Sequence, residues 1–228
     1  MKTRMTAAIA VLLAVAGSAC QDNWQSFFIN DNKIPGDPPS CTIPSDETAE
    51  GLWGGVMDIT MSYSYHSYLF VSNALMSRED YGLPRAESNG IFVQGIYLWF
   101  EPDPEVRQDY QPVEYRLTAF VGAQGTGTIG TPLIPYERGV EMADAMRAAS
   151  RSSMTVLVTA QFYGITQSGI DVLSQEFRYP IEICDGCLRI CPQDAIPTTP
   201  LVCDCPAGAT GDLPCFPGQD FPVDICLL

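Results

Sequence analysis

Three cysteines near the C-terminus have the spacing best suited to chemistry. Cys184, Cys187 and Cys191, followed by Pro192, match the latter part of the C-x2-C-x2-C-x3-C-P pattern of bacterial ferredoxins, but Ile181 occupies the leading position. Thiolates at such intervals hold an iron–sulfur cluster, and here one of the four is missing. Disulfide bonds are therefore the favoured interpretation, and a metal or redox centre formed by these three sulfurs is the alternative.

A glycine motif lies in the middle of the chain. Gly125, Gly127 and Gly130 satisfy G-x-G-x-x-G, the pattern that cradles a dinucleotide pyrophosphate when it leads directly into a helix. Here two prolines, Pro132 and Pro135, follow instead of a helix start. A hairpin-type loop is the better interpretation.

Few residues could form a catalytic site. His66 is the sole histidine, so a Ser–His–Asp site or a histidine metal centre would have to use it. Glu101 and Asp103 could form the acidic pair of a polymer hydrolase. The acidic segment 101–109 could bind calcium, although it lacks the EF-hand spacing. We expect a protein that is not an enzyme and that has no cofactor.

The first twenty residues predict the location of the protein. Lys2 and Arg4 precede an apolar run, 7–16, that is too short to span a membrane, and three small residues then precede Cys20. This order predicts a signal peptide over residues 1–19. The cysteine at its end predicts lipidation, so Cys20 would become the first residue of a lipid-anchored chain.

The cysteine count supports lipidation. Ordinary cleavage after Ala19 is the alternative, since Gly17 stands where a lipobox usually has an aliphatic residue. Removing Cys20 from the count leaves an even number, as expected for disulfides in an exported protein. Cys41 is the only candidate before the C-terminal tail, so we expect one bridge between them. The disulfide candidates are Cys41, Cys184, Cys187, Cys191, Cys203, Cys205, Cys215 and Cys226.

The charge of the chain limits its partners. The sequence has 12 basic and 27 acidic residues, and removal of Lys2 and Arg4 leaves 10 basic residues and a net charge of −17. Such a surface repels nucleic acid and anionic headgroups. We expect the partners to be the membrane, through the lipid anchor, and an envelope protein or polymer. The predicted location is the bacterial cell envelope, lipid-anchored at the outer membrane on its periplasmic or surface face.

Hydrophobic periodicity predicts an all-β fold with one helix. Alternating apolar and polar residues are typical of half-buried strands, and the apolar run 91–100 predicts a central strand covered on both sides. Beyond Ser67 the apolar parity shifts, which predicts a bulge or a change of sheet. A segment rich in Ala, Met and Glu predicts a helix over 136–149. The remaining predicted strands are 57–66, 113–121, 155–163 and 173–183.

These elements predict an antiparallel, Ig-like β-sandwich with a disulfide-stapled C-terminal tail. The expected core includes the aromatic residues Tyr63, Tyr65, Tyr97 and Trp99. The expected organisation is a signal peptide over 1–19, a Pro/Gly-rich tether over 20–50, the sandwich over 51–183 and the cysteine-rich tail over 184–228.

The junction between the last strand and the tail resembles a group of lipoproteins of myxobacterial type. The matching segments are FRYPIEICDGC at 177–187, YLFVSNALMS at 68–77, and the closing stretch 214–226. The resemblance implies an exported lipoprotein and carries no active-site residues. The leading hypothesis is a membrane-anchored, non-enzymatic structural or binding module of the cell envelope. The alternative is an extracytoplasmic metal or redox protein that uses Cys184, Cys187 and Cys191.

Overall fold

The computed structural model describes residues 26–76, 89–106, 108–191, 197–198, 202–203 and 211–227. The predicted signal peptide, 1–19, and Cys20 lie outside these ranges. The described chain is mostly β-structure with one short helix, as predicted. The strands are β1 (Phe27–Lys33), β2 (Gly51–Leu52), β3 (Gly55–Asp58), β4 (Tyr65–Asn73), β5 (Ile91–Pro102), β6 (Val113–Val121), β7 (Thr126–Ile134), β8 (Ser153–Thr166), β9 (Asp171–Leu173), β10 (Phe177–Cys184), β11 (Arg189–Ile190), β12 (Pro197–Thr198), β13 (Val202–Cys203) and β14 (Val223–Asp224), and the helix is α1 (Tyr136–Ala148).

Two sheets share one hydrophobic core. The first has the order β2-β1-β4-β7, and the second has the order β3-β10-β8-β5-β6, with β9 also paired to β8. Side chains from both sheets belong to a single buried cluster. The rings of Phe27 and Phe162, one from each sheet, have centroids 6.1 Å apart. The two sheets therefore stabilise each other through apolar burial.

One strand pairing within the two large sheets differs from the predicted antiparallel arrangement. β3 runs parallel to β10, with Gly55 opposite Ile181 and Asp58 opposite Cys184, so the second sheet is mixed. A tight hairpin can join only antiparallel strands, so β3 and a parallel neighbour cannot be consecutive in the chain. After β3 the chain passes to the first sheet, and packing between residues far apart in the sequence places β3 beside β10.

The segment 57–66, predicted as one strand, contains a change of sheet. β3 ends at Asp58, and the backbone N–H groups of Met61 and Ser62 donate to the Asp58 carbonyl at 3.1 and 3.0 Å. The Asp58 carboxylate also accepts the Thr60 N–H at 2.9 Å, which closes a local turn. Because the alternation of apolar and polar residues continues through this turn, the sequence pattern gives no sign that a turn is present.

The parity shift predicted beyond Ser67 is wrong, because Leu69 and Val71 stay in the core and Phe70 is buried beneath Lys33 instead. The change of sheet itself lies earlier, between Asp58 and Tyr65.

Two of the aromatic residues predicted to lie in the core, Tyr97 and Trp99, are on the outer face of the second sheet. Tyr65 is fully buried, as predicted. Tyr97 and Trp99 lie half-buried on the outer face of β5, where Tyr97 stacks on Tyr163 with centroids 4.6 Å apart. Phe92, on the same strand, is 43% exposed. The prediction that β5 is covered on both sides is therefore wrong, because its apolar run includes aromatic residues that pack on one another at the surface.

The predicted tether contains a strand of the first sheet. β1 pairs with β4 and places Phe27 and Ile29 in the core. The sheet therefore begins well before residue 51, the predicted boundary. The prolines that argued against a strand lie after Lys33, so they do not interrupt β1.

The segment after β1 returns over the outer face of the first sheet. The side chain of Lys33 is fully buried, and its ammonium group donates to the carbonyls of Glu47 at 3.3 Å and Ala49 at 2.6 Å. The same group forms an ion pair with Asp31 at 3.0 Å and lies 4.7 Å from the centroid of the Phe70 ring. Every ammonium proton has a partner, which a buried cation requires. Residues 34–50 thus cover the sheet instead of extending away from it.

The predicted helix is confirmed, ending one residue earlier. α1 buries Gly139, Met142, Ala143 and Met146. No helix within the described part of the chain is long and apolar enough to cross a membrane.

A Gly139→Ala substitution should destabilise the protein although alanine is the better helix former. The gain in helix propensity is about 1 kcal/mol. A Cβ at this position would collide with the backbone carbonyl oxygen of Tyr63, and such overpacking costs about 1–3 kcal/mol. Urea denaturation should show a lower free energy of unfolding. Gly127→Ala, where no atom lies within 4 Å of the new Cβ, is the matched control. Equal stability of the two variants would contradict this account.

Candidate functional site

The C-terminal tail docks on β3 through backbone hydrogen bonds. The Asp58 N–H donates to the Gly218 carbonyl at 2.9 Å, and the Asp220 N–H donates to the Val56 carbonyl at 3.0 Å. Between them, Gln219 forms an antiparallel bridge with Met57. Residues 218–220 therefore pair with the free edge of β3, and this described part of the tail belongs to the folded domain.

The side chain of Gln219 replaces a missing strand neighbour. β1 pairs with β4 only as far as Leu69. At His66, the Gln219 carboxamide accepts the backbone N–H at 3.0 Å and donates to the backbone carbonyl at 2.9 Å. Gln219 is only 4% exposed. A single side chain thus fixes the tail in register with the strand, since both of its polar atoms are satisfied.

A cavity of about 420 Å³ lies where the tail, β4 and the segment after β1 meet. One wall is aromatic: the Phe216 ring lies 6.2 Å from the ring of His66 and 5.5 Å from the ring of Tyr68. Acidic side chains also line the cavity, namely Asp37, Asp212 and Asp220. We call this space the tail cavity. Its walls combine apolar rings with a few polar groups, which is the usual composition of a small-molecule site.

A buried hydrogen-bond network lies below the tail cavity. The Tyr65 hydroxyl donates to the Asp220 carboxylate, with the two oxygens at 2.9 and 3.0 Å. The Tyr179 hydroxyl lies 3.1 Å from the Tyr65 hydroxyl and accepts from the Asn32 amide at 3.1 Å. Burial raises the pKa of Asp220 to about 6, against the opposing effect of the Val56 N–H and the Tyr65 hydroxyl. Burial also raises the pKa of Tyr65.

His66 lies at the cavity without the partners of a catalytic triad. Its Nε2 is 3.4 Å from the Ser64 hydroxyl, but that hydroxyl donates to the Ile134 carbonyl at 3.0 Å. Among the described residues no carboxylate hydrogen-bonds the ring. Burial lowers the pKa of His66. The arrangement is that of a wall residue stacked on Phe216.

The acidic segment 101–109 is held by arginines. Arg178 lies 3.5 Å from a carboxylate oxygen of Glu101. Arg151 lies 3.8 Å from the carboxylate of Asp103 and forms a close ion pair with Glu105. Since three of the four carboxylates of the segment, including both members of the predicted acidic pair, have a cationic neighbour, neither the calcium site nor the paired acids of a hydrolase gains support from the structure.

The glycine motif is mostly strand. Gly127 and Gly130 lie within β7, which continues to Ile134, and only Gly125 lies in the turn before it, where its N–H donates to the Gly122 carbonyl at 3.0 Å. α1 does not begin until Tyr136. The predicted hairpin-type loop is wrong: only Gly125 lies in a turn, and this turn connects β6 and β7, which belong to different sheets. No phosphate-binding helix start follows the motif.

The cysteines in the described part of the tail are oxidised. Cys41 is bonded to Cys215, which confirms the predicted bridge between the N-terminal segment and the tail. Cys184 is bonded to Cys187, and Cys191 and Cys226 are each disulfide-bonded. The side chains of Cys203 and Cys205 lie outside the described residues. As disulfides, Cys184, Cys187 and Cys191 offer no thiolate to a cluster or to zinc.

Asp58 lies beside the Cys184–Cys187 disulfide. Its carboxylate oxygen and the two sulfurs lie within 4.8 Å of one another. The carboxylate is fully buried and accepts the N–H groups of Gly186 at 2.9 Å and Leu188 at 3.0 Å. With the bonds from Thr60, four donors satisfy it. Asp58 therefore fixes the loop that carries the disulfide.

No protein-family model and no curated protein matches the chain. The function of the protein is therefore inferred from its own geometry. Sequence reasoning missed Phe216, Gln219 and Asp220, because they lie in a segment without hydrophobic periodicity. The one signal was the expected bridge from Cys41 to the tail, which joins two of the three segments that form the cavity.

Loop length should make the Cys41–Cys215 and Cys184–Cys187 bonds contribute unequally to the free energy of unfolding. The Cys41–Cys215 bond spans 174 residues and the Cys184–Cys187 bond spans 3. By loop-closure entropy, paired alanine substitutions should cost about 5 kcal/mol at the first and about 2 kcal/mol at the second. Guanidinium denaturation of the two double variants measures both values. Equal losses would show that loop closure does not control the difference.

Asp220→Asn should change how stability depends on pH. The carboxyl binds its proton more tightly in the folded chain, with a pKa of about 6 against an ordinary value of 3.8. The stabilisation from this tighter proton binding is fully present below the ordinary pKa of 3.8 and is lost as the pH rises through the pKa of the folded protein, about 6. Relative to the asparagine variant, the wild type should lose about 3 kcal/mol between about pH 3 and about pH 8. Parallel curves of unfolding free energy against pH would contradict the assignment.

Proposed function

We propose that the protein is an exported lipoprotein, anchored in the cell envelope through Cys20, and that it acts as a non-enzymatic binding module. The signal-like order of residues 1–19 supports export and the terminal cysteine supports the anchor. The oxidised cysteines are those expected of a compartment outside the cytosol. Kinship with the lipoproteins of myxobacterial type is part of the same proposal.

The tail cavity is the observation that carries the binding role. Its volume of about 420 Å³ lies within the range of about 300–1,000 Å³ typical of small-molecule sites. Three separate segments form its walls, and the Cys41–Cys215 bond joins two of them. Gln219 also fixes the tail to β4, so the walls of the cavity are already ordered before a ligand binds. A preformed site binds more tightly because no free energy is lost in ordering its walls.

The fold supports the same proposal. We propose that the two sheets form an Ig-like sandwich, an architecture that presents binding segments at its ends and edges. The cavity lies at such an edge, next to the C-terminal end of β1. The protein would thus hold a ligand at the envelope while the lipid on Cys20 keeps it at the membrane.

Metabolic labelling tests the anchor. Cells expressing the full chain are fed an alkyne analogue of palmitate, and the purified protein is examined for label. The wild type should carry the label, Cys20→Ala should lose it, and Cys41→Ala should retain it, because only Cys20 follows a signal sequence. Unlabelled wild-type protein would overturn the anchoring proposal.

Ligand-observed NMR tests the cavity. The probes are N-acetylglucosamine, free amino acids, choline and putrescine, each added to the full chain. At least one probe should bind saturably. Asp212→Trp should weaken it by about tenfold or more, a loss of about 1.4 kcal/mol, because Asp212 is an exposed residue at the cavity. Asp144→Trp, on the exposed face of α1, is the matched control. Equal affinities of the two variants, or no binding by any probe, would overturn the proposed site.

A further inference from the structure

The two sulfurs of the Cys184–Cys187 disulfide have different environments. Cys184 is the last residue of β10 and is 1% exposed. Cys187, three residues later, is exposed. An incoming thiolate can therefore reach the sulfur of Cys187, while the sulfur of Cys184 is protected. Access of this kind decides which sulfur of a disulfide is attacked.

Backbone hydrogen bonds hold the loop in addition to the disulfide. The N–H groups of Gly186 and Leu188 donate to Asp58, and the Asp185 N–H donates to the Ser152 carbonyl at 3.0 Å. The Cys184 carbonyl accepts the Ile59 N–H at 2.9 Å. None of these hydrogen bonds uses a sulfur atom, so opening the sulfur–sulfur bond removes none of them. The two cysteines would stay close together and could form their bond again.

The Cys41–Cys215 bond, in contrast, holds separate segments of the fold together. It closes a long loop and joins the segment after β1 to the tail, so opening it releases a wall of the tail cavity. Both of its cysteines are only partly exposed. This bond is a structural bridge, and it provides an internal reference for the other one.

We propose that the Cys184–Cys187 disulfide is a reversible thiol–disulfide exchange site that oxidises thiols. A thiolate attacks the sulfur of Cys187, the bond between Cys187 and Cys184 breaks, and Cys184 leaves with the electron pair and takes up a proton. A second thiolate then attacks the mixed disulfide and releases Cys187 as a thiolate. In sum, the protein disulfide and two thiols become a protein dithiol and a new disulfide.

Asp58 acts in this proposal as a positioning residue. It does not exchange bonds with the sulfurs, and its hydrogen bonds keep Gly186 and Leu188 in place on either side of Cys187. The co-reactant is a thiol, either a small molecule or a protein cysteine. The site is separate from the tail cavity and does not depend on ligand binding there.

Redox titration of the full folded chain tests the site. The protein is equilibrated in buffers of reduced and oxidised glutathione, free thiols are alkylated, and each cysteine is read by mass spectrometry while near-ultraviolet circular dichroism monitors folding. Cys184 and Cys187 should be reduced at ratios that leave Cys41 and Cys215 oxidised and the fold unchanged. Reduction of both pairs together, or only on unfolding, would overturn the proposal.

Single variants test which sulfur is attacked. With oxidised glutathione, the free thiol of Cys184→Ser should form a mixed disulfide about tenfold or more faster than that of Cys187→Ser, because only the first variant keeps the exposed sulfur; each exchange releases one reduced glutathione. Equal rates would overturn the assignment of Cys187. A parallel reaction uses reduced ribonuclease as the thiol, and formation of its disulfides at the expense of Cys184–Cys187 identifies protein cysteines as substrates. Exchange with glutathione alone identifies a small thiol, and exchange with neither overturns the proposal.

Discussion

The buried carboxylate of Asp58 is the interaction on which the rest of the described structure depends. A fully buried carboxylate is tolerated only when its oxygens are satisfied. Here the donors come from the turn at Thr60 and from the loop at Gly186 and Leu188. The Asp58 backbone N–H also binds the Gly218 carbonyl. One residue thus connects the change of sheet, the disulfide loop and the docked tail.

Polar contacts, more than apolar ones, position the tail. Gln219 is satisfied by the backbone of His66, and Asp220 by Val56 and Tyr65. Buried polar pairs contribute little net stability but are costly to leave unpaired, so they favour a single arrangement. Residues 211–227 of the tail therefore have a defined position although the tail lacks hydrophobic periodicity. The tail cavity exists because of this specificity.

Much of the fold could be read from local pattern. The helix, the alternation of β6 and the bridge from Cys41 to the tail follow from periodicity and from cysteine count, which are local or arithmetic signals. The turn after Asp58 could not be read, because alternation continues through it. Tyr97 was misassigned for a related reason: an aromatic side chain in a strand packs equally well in a core or beside another ring at the surface.

Residue types and short spacings are enough to predict the all-β class, the acidic charge and the disulfide bonding of the described tail cysteines. The position of residues 34–50 over a sheet, the contact of Gln219 with β4, and the exposure of Cys187 beside the buried Cys184 depend on the folded arrangement. These features join residues more than a hundred positions apart or depend on neighbours from other strands. No local pattern encodes such contacts, since burial of polar groups is settled by which partners the whole fold brings within hydrogen-bonding distance.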